Sequence, residues 1–416
     1  MQEQVTIKKI KKKRFINPKF IFTISIIEIL CYMTVDLYLA SMPDIAKYFG
    51  TSYAKVQLSL TFYLFAMGIG QLFFGPIIDY FGRKIPLLLG LFVYIFCSIL
   101  IAFSTSIEGF LFFRVIQGIS VALIYVSIIS MVRDVSKGKV AAQIFAILIT
   151  IGAMTPILAP AIGGYIEQNF GWKVVFYTLF GSGILVAILS FLALDETLTL
   201  SKRVEINFKN IFMIYLQILK DRSFLAPAIT ACLMYMFVFA YIAGASYAYQ
   251  NIYGLDSKTF GLIFGATGSA LLFGALLSTR LLKIVNMKQL SISGAIILVI
   301  GTIVSFLSAS LNFIGFDGVV AGFFIAFFGL GLCEASLFSM AMSSQKKNIG
   351  ATAAVLGSLQ LLLPATITFL AGYLVEESIL YWLGLTLFLG FLSALFTYLV
   401  FTIKRVKKMD DGAVLE

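Results

Sequence analysis

Twelve long apolar stretches run along this chain, and they restrict what it can fold into. A transmembrane helix needs about 20 mostly apolar residues to cross the hydrocarbon core of a bilayer. The stretches lie at 18–42, 56–74, 85–103, 107–131, 140–164, 172–194, 224–250, 259–279, 289–310, 318–342, 350–374 and 379–403. Backbone polar groups find no water inside lipid, so an isolated span must be helical. The sequence therefore predicts an all-α membrane protein with twelve transmembrane helices.

The composition supports a lipid environment. Hydrophobic residues make up 60% of the chain and charged residues 12%, whereas soluble proteins are about half apolar and about a quarter charged. The net charge is +11, but the basic residues sit in short clusters between apolar stretches, so we expect a lipid bilayer partner and no nucleic acid. All four cysteines lie in apolar segments, so no disulfides are expected. The chain has no histidine, so proton chemistry must use carboxylates, and no metal or cofactor is expected.

The basic residues also predict an orientation. If all twelve stretches cross the membrane, 26 of the 31 lysines and arginines lie on the same side as the N-terminus. Four lie in the loops on the other side of the membrane. The positive-inside rule then places both termini in the cytoplasm. The first apolar stretch is too long for a cleavable signal peptide, so we expect it to remain as an anchor. Asn17 and Pro18 predict the start of its helix.

The chain divides into two related halves. The longest polar stretch, 195–222, predicts a cytoplasmic linker with a surface helix between two pseudo-symmetric six-helix bundles, 1–194 and 223–416. Three residues recur with a shift of 208: Pro156, Gly164 and Tyr165 match Pro364, Gly372 and Tyr373. The two tryptophans, Trp172 and Trp382, are 210 apart and each opens an apolar stretch. The agreement indicates an internal duplication, which is common in transporters.

Four charged residues lie inside the predicted spans, away from the span ends. They are Glu28 and Asp36 in the first span, Arg114 in the fourth and Glu334 in the tenth. A charge at the bilayer centre costs about 2.5–3.5 kcal/mol on insertion scales, so such residues face the protein interior or a watery cavity. Eight residues of helix separate Glu28 from Asp36 by about 80° and about 12 Å. Tyr32 lies midway on much the same face, so one wall of a central cavity is predicted to carry all three groups.

Two interpretations of these charges remain open. Glu28 and Asp36 could pair structurally with Arg114 or with each other, or they could bind a proton and a cation. The two are compatible, because a carboxylate beside Arg114 can change partner when a substrate arrives. Glu334 could be a second protonation site or a hydrogen-bonded structural acid.

The loop after the second span carries a motif. It reads GPIIDYFGRK, with Gly75, Asp79, Gly82 and Arg83 at its fixed positions. This resembles the cytoplasmic gate motif of the major facilitator superfamily, G-x-x-x-D-[RK]-x-G-R-[RK], with Tyr80 in place of a basic residue. The alternative is an ordinary basic loop with turn residues. The resemblance implies that the Asp79 and Arg83 pair breaks and reforms as the gate moves.

Two further motifs resemble those of antiporters in the same superfamily. Arg114 and Gly118 match an R-x-x-x-G element, in which the arginine is tied to proton translocation. The fifth span, GAMTPILAPAIGG from Gly152, is similar to the antiporter motif ending G-P-x-x-G-G, with Ala159 in place of a glycine. Its matching residues are Pro156, Pro160, Gly163 and Gly164. The alternative for this span is an ordinary kinked helix.

The stretch DLYLASMP, which begins at Asp36, resembles the D-x-Y-L-P-x-x-P element of the Bcr/CflA group, with Ala40 in place of the first proline. The pair of Glu28 and Asp36 is similar to the two acids in the pocket of the MdfA type. The resemblance implies the major facilitator fold and a monomeric, proton-coupled antiporter that exports lipophilic, often cationic drugs across the bacterial inner membrane. The same resemblance implies that the pocket is lined by Tyr32, Gly152, Val238 and Ile242, with ordinary packing as the equal alternative for each. Glu334 is a further candidate for the lining.

Three other functions are weighed against this one. A proton-coupled carrier of a specific metabolite or siderophore could use the same fold. A channel or receptor fits less well with the duplicated halves and the gate motif. An ATP-driven pump or membrane enzyme is disfavoured, because the sequence contains no G-x-x-x-x-G-K-[ST] loop, so we expect a protein that is not an enzyme.

Overall fold

A computed structural model of the chain describes residues 18–204, 208–311, 314–344 and 349–402. Twelve helices in these ranges are long and apolar enough to cross a membrane, one for each predicted stretch. Spans 1 to 12 are Pro18–Phe49, Tyr53–Phe81, Lys84–Ala102, Ile107–Val135, Gln143–Phe170, Trp172–Ala193, Arg222–Ile252, Ser257–Leu281, Met287–Ser310, Gly315–Ser343, Gly350–Glu377 and Ile379–Val400. The prediction of an all-α, twelve-span membrane protein is confirmed. The predicted cap Asn17 and the basic clusters at 1–17, 346–347 and 404–408 lie outside the described residues.

Most spans extend beyond the apolar stretches that predicted them. Span 2 begins at Tyr53, because the Ser52 hydroxyl accepts a hydrogen bond from the Lys55 N–H at 3.2 Å and caps the helix. Span 4 begins after Ser106, whose hydroxyl accepts from the Gly109 N–H at 3.2 Å, and it continues to Val135. Hydropathy does not detect the polar ends of these helices, because they lie where the chain leaves the apolar layer of the membrane.

Span 1 is interrupted near one end. A helix covers Pro18–Asp36, a 3₁₀ turn covers Leu39–Ser41, and a second helix covers Met42–Phe49. Pro43 occupies the first turn of the second helix, where its missing N–H leaves no hydrogen bond unmade. The predicted span ended at residue 42, so the sequence-based boundary missed this last helical segment.

The spans pack as two bundles. In the first half, span 4 packs on spans 2 and 3, span 3 on span 6, and span 1 on spans 5 and 6. In the second half, span 10 packs on spans 8 and 9, span 12 on span 9, and span 7 on spans 11 and 12. Two extensive contacts join the halves, between spans 2 and 11 and between spans 5 and 8. This is the predicted architecture of two six-helix bundles.

The helices alternate in direction, so the molecule has two ends, named here by one residue each. At the Trp172 end, the Trp172 ring packs against Tyr48, Phe110 and Phe176, with ring centroids 5.2 to 6.1 Å apart. At the Arg83 end lies the predicted surface helix of the linker, Phe208–Lys220. Its Tyr215 hydroxyl donates to the backbone carbonyl of Leu72 at 3.0 Å, which ties the linker to span 2.

Candidate functional site

Glu28 and Asp36 are both inside the protein and not on its lipid-facing surface. Their exposed fractions are 2% and 4%. One carboxylate oxygen of Glu28 is fully buried and has no hydrogen-bond partner. Among the described residues, no ion pair joins either acid to a basic side chain. The structural interpretation, in which these acids pair with Arg114 or with each other, therefore does not describe this conformation.

Arg114 is completely buried in span 4 without a carboxylate partner in the described chain. Its guanidinium lies 4.3 Å from the ring centroid of Tyr38 and 4.6 Å from that of Tyr63. One terminal nitrogen donates to the Gln117 side-chain oxygen at 2.6 Å and to the Thr34 carbonyl at 3.4 Å. Nε and Nη2 have no partner. Aromatic faces and carbonyl dipoles thus stabilise the guanidinium charge in place of a counter-ion. Nε and Nη2 remain able to donate hydrogen bonds to an anion.

A second polar cluster joins the four spans 1, 4, 7 and 10. Tyr32 of span 1 lies beside Tyr125 of span 4. On the opposite wall, Tyr235 of span 7 lies beside the Glu334 carboxyl group of span 10. A Cβ built on Gly152 of span 5 would lie 3.0 Å from the Tyr32 ring, so the glycine leaves space for the phenol. The structure therefore brings together three of the sequence-predicted residues, Tyr32, Gly152 and Glu334.

The two span 7 candidates, Val238 and Ile242, belong to the hydrophobic core. Ile242 is buried within it and Val238 is packed partly buried against it. Their apolar side chains add surface that a lipophilic molecule can contact, but they contribute no polar group.

The antiporter motif of span 5 lies where the two bundles meet. A Cβ on Gly163 would overlap the Leu37 carbonyl oxygen and lie 2.8 Å from its carbon. A Cβ on Gly164 would overlap the Ser257 carbonyl of span 8 and lie 2.9 Å from its carbon. From span 8, Gly261 faces the Pro160 carbonyl in the same way. These glycines are required because backbones of neighbouring helices touch directly.

The gate motif forms an ion-pair cluster at the Arg83 end. The Arg83 side chain is buried, and its guanidinium contacts Asp79 Oδ1 at 2.7 Å and Asp134 Oδ2 at 3.0 Å. The Thr197 hydroxyl also donates to Asp134, at 3.0 Å. Tyr80, which replaces a basic residue, is exposed and stacks edge-on against Phe81.

Glu196 completes this cluster from the linker. Its carboxylate accepts from the backbone N–H groups of Arg83 at 2.9 and 3.0 Å and of Lys84 at 3.2 Å, at the start of span 3. Partial burial opposes ionisation, but the backbone donors, which include Leu198, outweigh it and lower the pKa of Glu196. Gly82 has φ of +96°, and a Cβ there would overlap the Glu196 carboxylate. Glycine at 82 is thus needed for this docking.

Sequence reasoning missed several partners of the predicted residues. Gln117 stands three residues after Arg114, on the same helix face, so helical spacing could have identified it. Asp134 is the penultimate residue of span 4 and follows a basic residue. It was overlooked because only the basic residues of the loops were counted. Glu196 gave no local signal, because its partner is 113 residues away in sequence.

The buried acids can exchange a proton for a cation inside the low-dielectric interior of the protein. An ionised carboxylate buried without a partner is costly, so Glu28 and Asp36 require either a proton or a cation. Among the described residues no group of Cys, Asp and Glu is arranged as a metal site. The chemistry that these buried acids can perform is reversible binding of protons and charged or polar molecules.

Comparison with known proteins identifies the relatives of this chain. It is 34% identical over 353 residues to an uncharacterized MFS-type transporter, YdgK, of Bacillus subtilis, covering 84% of this chain and 88% of that protein. It is 31% identical over 261 residues to a bicyclomycin resistance protein homolog of Haemophilus influenzae, covering 63% and 66%. It is 25% identical over 385 residues to a multidrug resistance protein, MdtL, of Klebsiella pneumoniae, covering 92% and 95%.

Solved structures share the fold at low sequence identity. A peptide transporter, POT, matches with a TM-score of 0.77 and 12% identity over 96% of this chain and 97% of that one. A D-xylose-proton symporter matches with a TM-score of 0.72 and 14% identity over 91% and 97%. The family model of the Major Facilitator Superfamily matches residues 24–367. The chain therefore belongs to the Major Facilitator Superfamily and is a multi-pass membrane transporter of a small molecule.

Proposed function

We propose that this transporter is a proton-coupled antiporter that exports lipophilic, often cationic drugs from the bacterial cytoplasm. One observation carries the proposal: Glu28 and Asp36 are buried in span 1 without an ion pair in the described chain. The relatives named for multidrug and bicyclomycin resistance support export of toxic compounds.

Charge balance couples the binding of a cationic substrate to the release of a proton. A proton or a cationic substrate can each neutralise a buried carboxylate, but one carboxylate does not need both. Binding of the cation at Glu28 or Asp36 therefore displaces a proton, and protonation weakens the hold on the cation. Mutually exclusive occupancy is what antiport requires.

Arg114 supports this exchange from span 4. Its guanidinium has two unpartnered donors, and Thr34, whose carbonyl it contacts, precedes Asp36 by two residues on span 1. An Asp36 that loses its proton can therefore be attracted to Arg114 until a cation replaces that contact. Glu334, which lies beside Tyr235 in the second bundle, adds a third carboxyl group opposite span 1.

The proposed cycle is alternating access. The bundles 1–194 and 223–416 rock about the pocket, joined by the linker 195–222, with both termini in the cytoplasm of a monomeric inner-membrane protein. The Arg83 end then faces the cytoplasm and the Trp172 end faces the periplasm. The ion-pair cluster around Arg83 steadies the cytoplasmic end of the first bundle.

The test is substrate-induced proton release from the purified protein in weakly buffered detergent solution near pH 7. Tetraphenylphosphonium serves as the lipophilic cation. We expect the unsubstituted protein to release protons on binding and Asp36→Asn or Glu28→Gln to lose most of that release. The matched control is Glu108→Gln, which removes an exposed acid of span 4 and should change nothing.

Two outcomes contradict the proposal. Full proton release from a protein carrying both Asp36→Asn and Glu28→Gln would show that other groups carry the coupling. Proton release with a metabolite panel, but with no lipophilic cation or neutral drug, would favour a specific metabolite carrier on the same fold.

A further inference from the structure

A carboxylate of the second bundle caps a helix of the first bundle at the Trp172 end. Glu376, at the end of span 11, accepts hydrogen bonds from the backbone N–H groups of Tyr53 at 3.2 Å and Ala54 at 3.1 Å. These are the first two residues of span 2. The contact therefore joins the two bundles. The bundles must separate here if a central site is to open toward the Trp172 end.

The two N–H groups have no intrahelical acceptor. The first four N–H groups of a helix lack partners within it. Span 2 has its own cap, Ser52, but that residue serves Lys55 and Val56 and leaves Tyr53 and Ala54 to Glu376. The positive end of the helix dipole attracts the carboxylate as well. Glu376 thus provides the hydrogen-bond acceptor that the local sequence of span 2 lacks for these two N–H groups.

Neutral hydrogen bonds continue the same closure towards the interior. The Tyr53 hydroxyl and the Gln57 side-chain amide both donate to the Ala243 carbonyl of span 7, each at 2.7 Å. Deeper still, the hydroxyls of Thr61 and Thr368 lie 2.6 Å apart across spans 2 and 11. Glu376 provides an ionisable contact at the outer edge of this series.

We infer that Glu376 is a positioning residue for transport: it holds the Trp172 end closed by capping span 2 across the bundle boundary and must release that helix before this end can open. The inference rests on alternating access by two bundles but not on the identity of the substrate or on proton coupling. Glu376 touches neither of the proposed proton-binding acids in span 1.

The cap adjusts the equilibrium between closed and open forms but does not lock it. When the bundles part, the N–H groups of Tyr53 and Ala54 meet water at the membrane surface, which replaces part of the lost interaction. A carboxylate at a helix N-terminus contributes about 0.3–1 kcal/mol at exposed positions, which corresponds to about a twofold to fivefold change in a population ratio. Loss of the charge should therefore raise the open-to-closed ratio by about that factor.

The test measures distances across the Trp172 end in the full-length protein in lipid nanodiscs. Spin labels are placed at Thr105→Cys, in the loop before span 4, and at Ser310→Cys, at the end of span 9; both positions are exposed. All four native cysteines are buried, so labelling is selective. We expect Glu376→Gln, and more strongly Glu376→Ala, to enlarge the long-distance population by about twofold to fivefold without moving either distance peak.

The matched control is Glu377→Gln, which removes the neighbouring, exposed acid and should leave the populations unchanged. A second label pair, Thr105→Cys with Asn169→Cys, lies within the first bundle and reports any loss of folding. Unchanged populations in Glu376→Ala would overturn the inference, as would an equal shift in Glu377→Gln. Broadening of the pair within the first bundle would also overturn it, since the residue would then act on folding and not on opening.

Discussion

Addition of one methyl group at Gly163 tests whether the glycines of span 5 are needed for direct backbone contact. In Gly163→Ala the new Cβ would lie 2.8 Å from the Leu37 carbonyl carbon, whereas carbon atoms in ordinary contact are about 3.5–4.0 Å apart. Span 5 and the break in span 1 must therefore separate by about 1 Å. Overpacking of this kind costs about 1–3 kcal/mol, which exceeds the gain of about 0.5–1 kcal/mol from replacing a helical glycine.

The control is Gly181→Ala in span 6, where a new Cβ would meet no atom within 4 Å. We expect the control to be neutral or slightly stabilising and Gly163→Ala to unfold at a lower temperature, measured by thermal unfolding in one detergent. Export of a fluorescent lipophilic cation from cells should fall for Gly163→Ala alone. Equal unfolding temperatures and equal export for the two variants would refute the backbone-contact argument.

Three other substitutions test the charged residues. Arg114→Lys keeps the charge but loses the planar group that lies over two aromatic rings, so export should fall about tenfold or more while Asp36-dependent proton release changes. Asp134→Asn removes one of two carboxylates from Arg83, and spin labels across the Arg83 end should report a larger open population. Glu196→Gln should loosen the linker and increase its cleavage by protease, whereas Asp195→Asn should not. Because the pKa of Glu196 is lowered in the folded protein, its contribution is complete above its ordinary pKa of 4.5 and is lost as the pH falls through the folded value; protease sensitivity should rise over that acidic range.

The fold was predictable because hydropathy is a local property. Each of the twelve apolar stretches predicted a helix that the structure contains. The interruption after Asp36 was not predicted, since residues 37–42 are mostly apolar. The residues that contact this stretch, Gly163 of span 5 and Ser246 and Gln250 of span 7, are distant in sequence. The orientation of the termini and the limits of the two bundles stay predictions, since they depend on the membrane and on motion.

The burial of the candidate site residues was predictable, but their partners were not. Burial of Glu28, Asp36 and Arg114 follows from the cost of charge in lipid, and the structure places all three inside. The sequence could not show that Arg114 lies between two tyrosine rings instead of against an acid. Such pairings depend on the rotation of each helix about its axis, which the arrangement of the neighbouring helices determines.

The glycine contact between spans 5 and 8 has a mechanical consequence. Backbone faces backbone at Gly164 and Gly261, so no interlocking side chains oppose a small tilt of one helix along the other. Spans 2 and 11, in contrast, are joined by discrete hydrogen bonds that are either made or broken. We therefore expect the pair of spans 5 and 8 to act as the hinge axis, and the pair of spans 2 and 11 to separate abruptly, so that the two sides of the molecule open unequally.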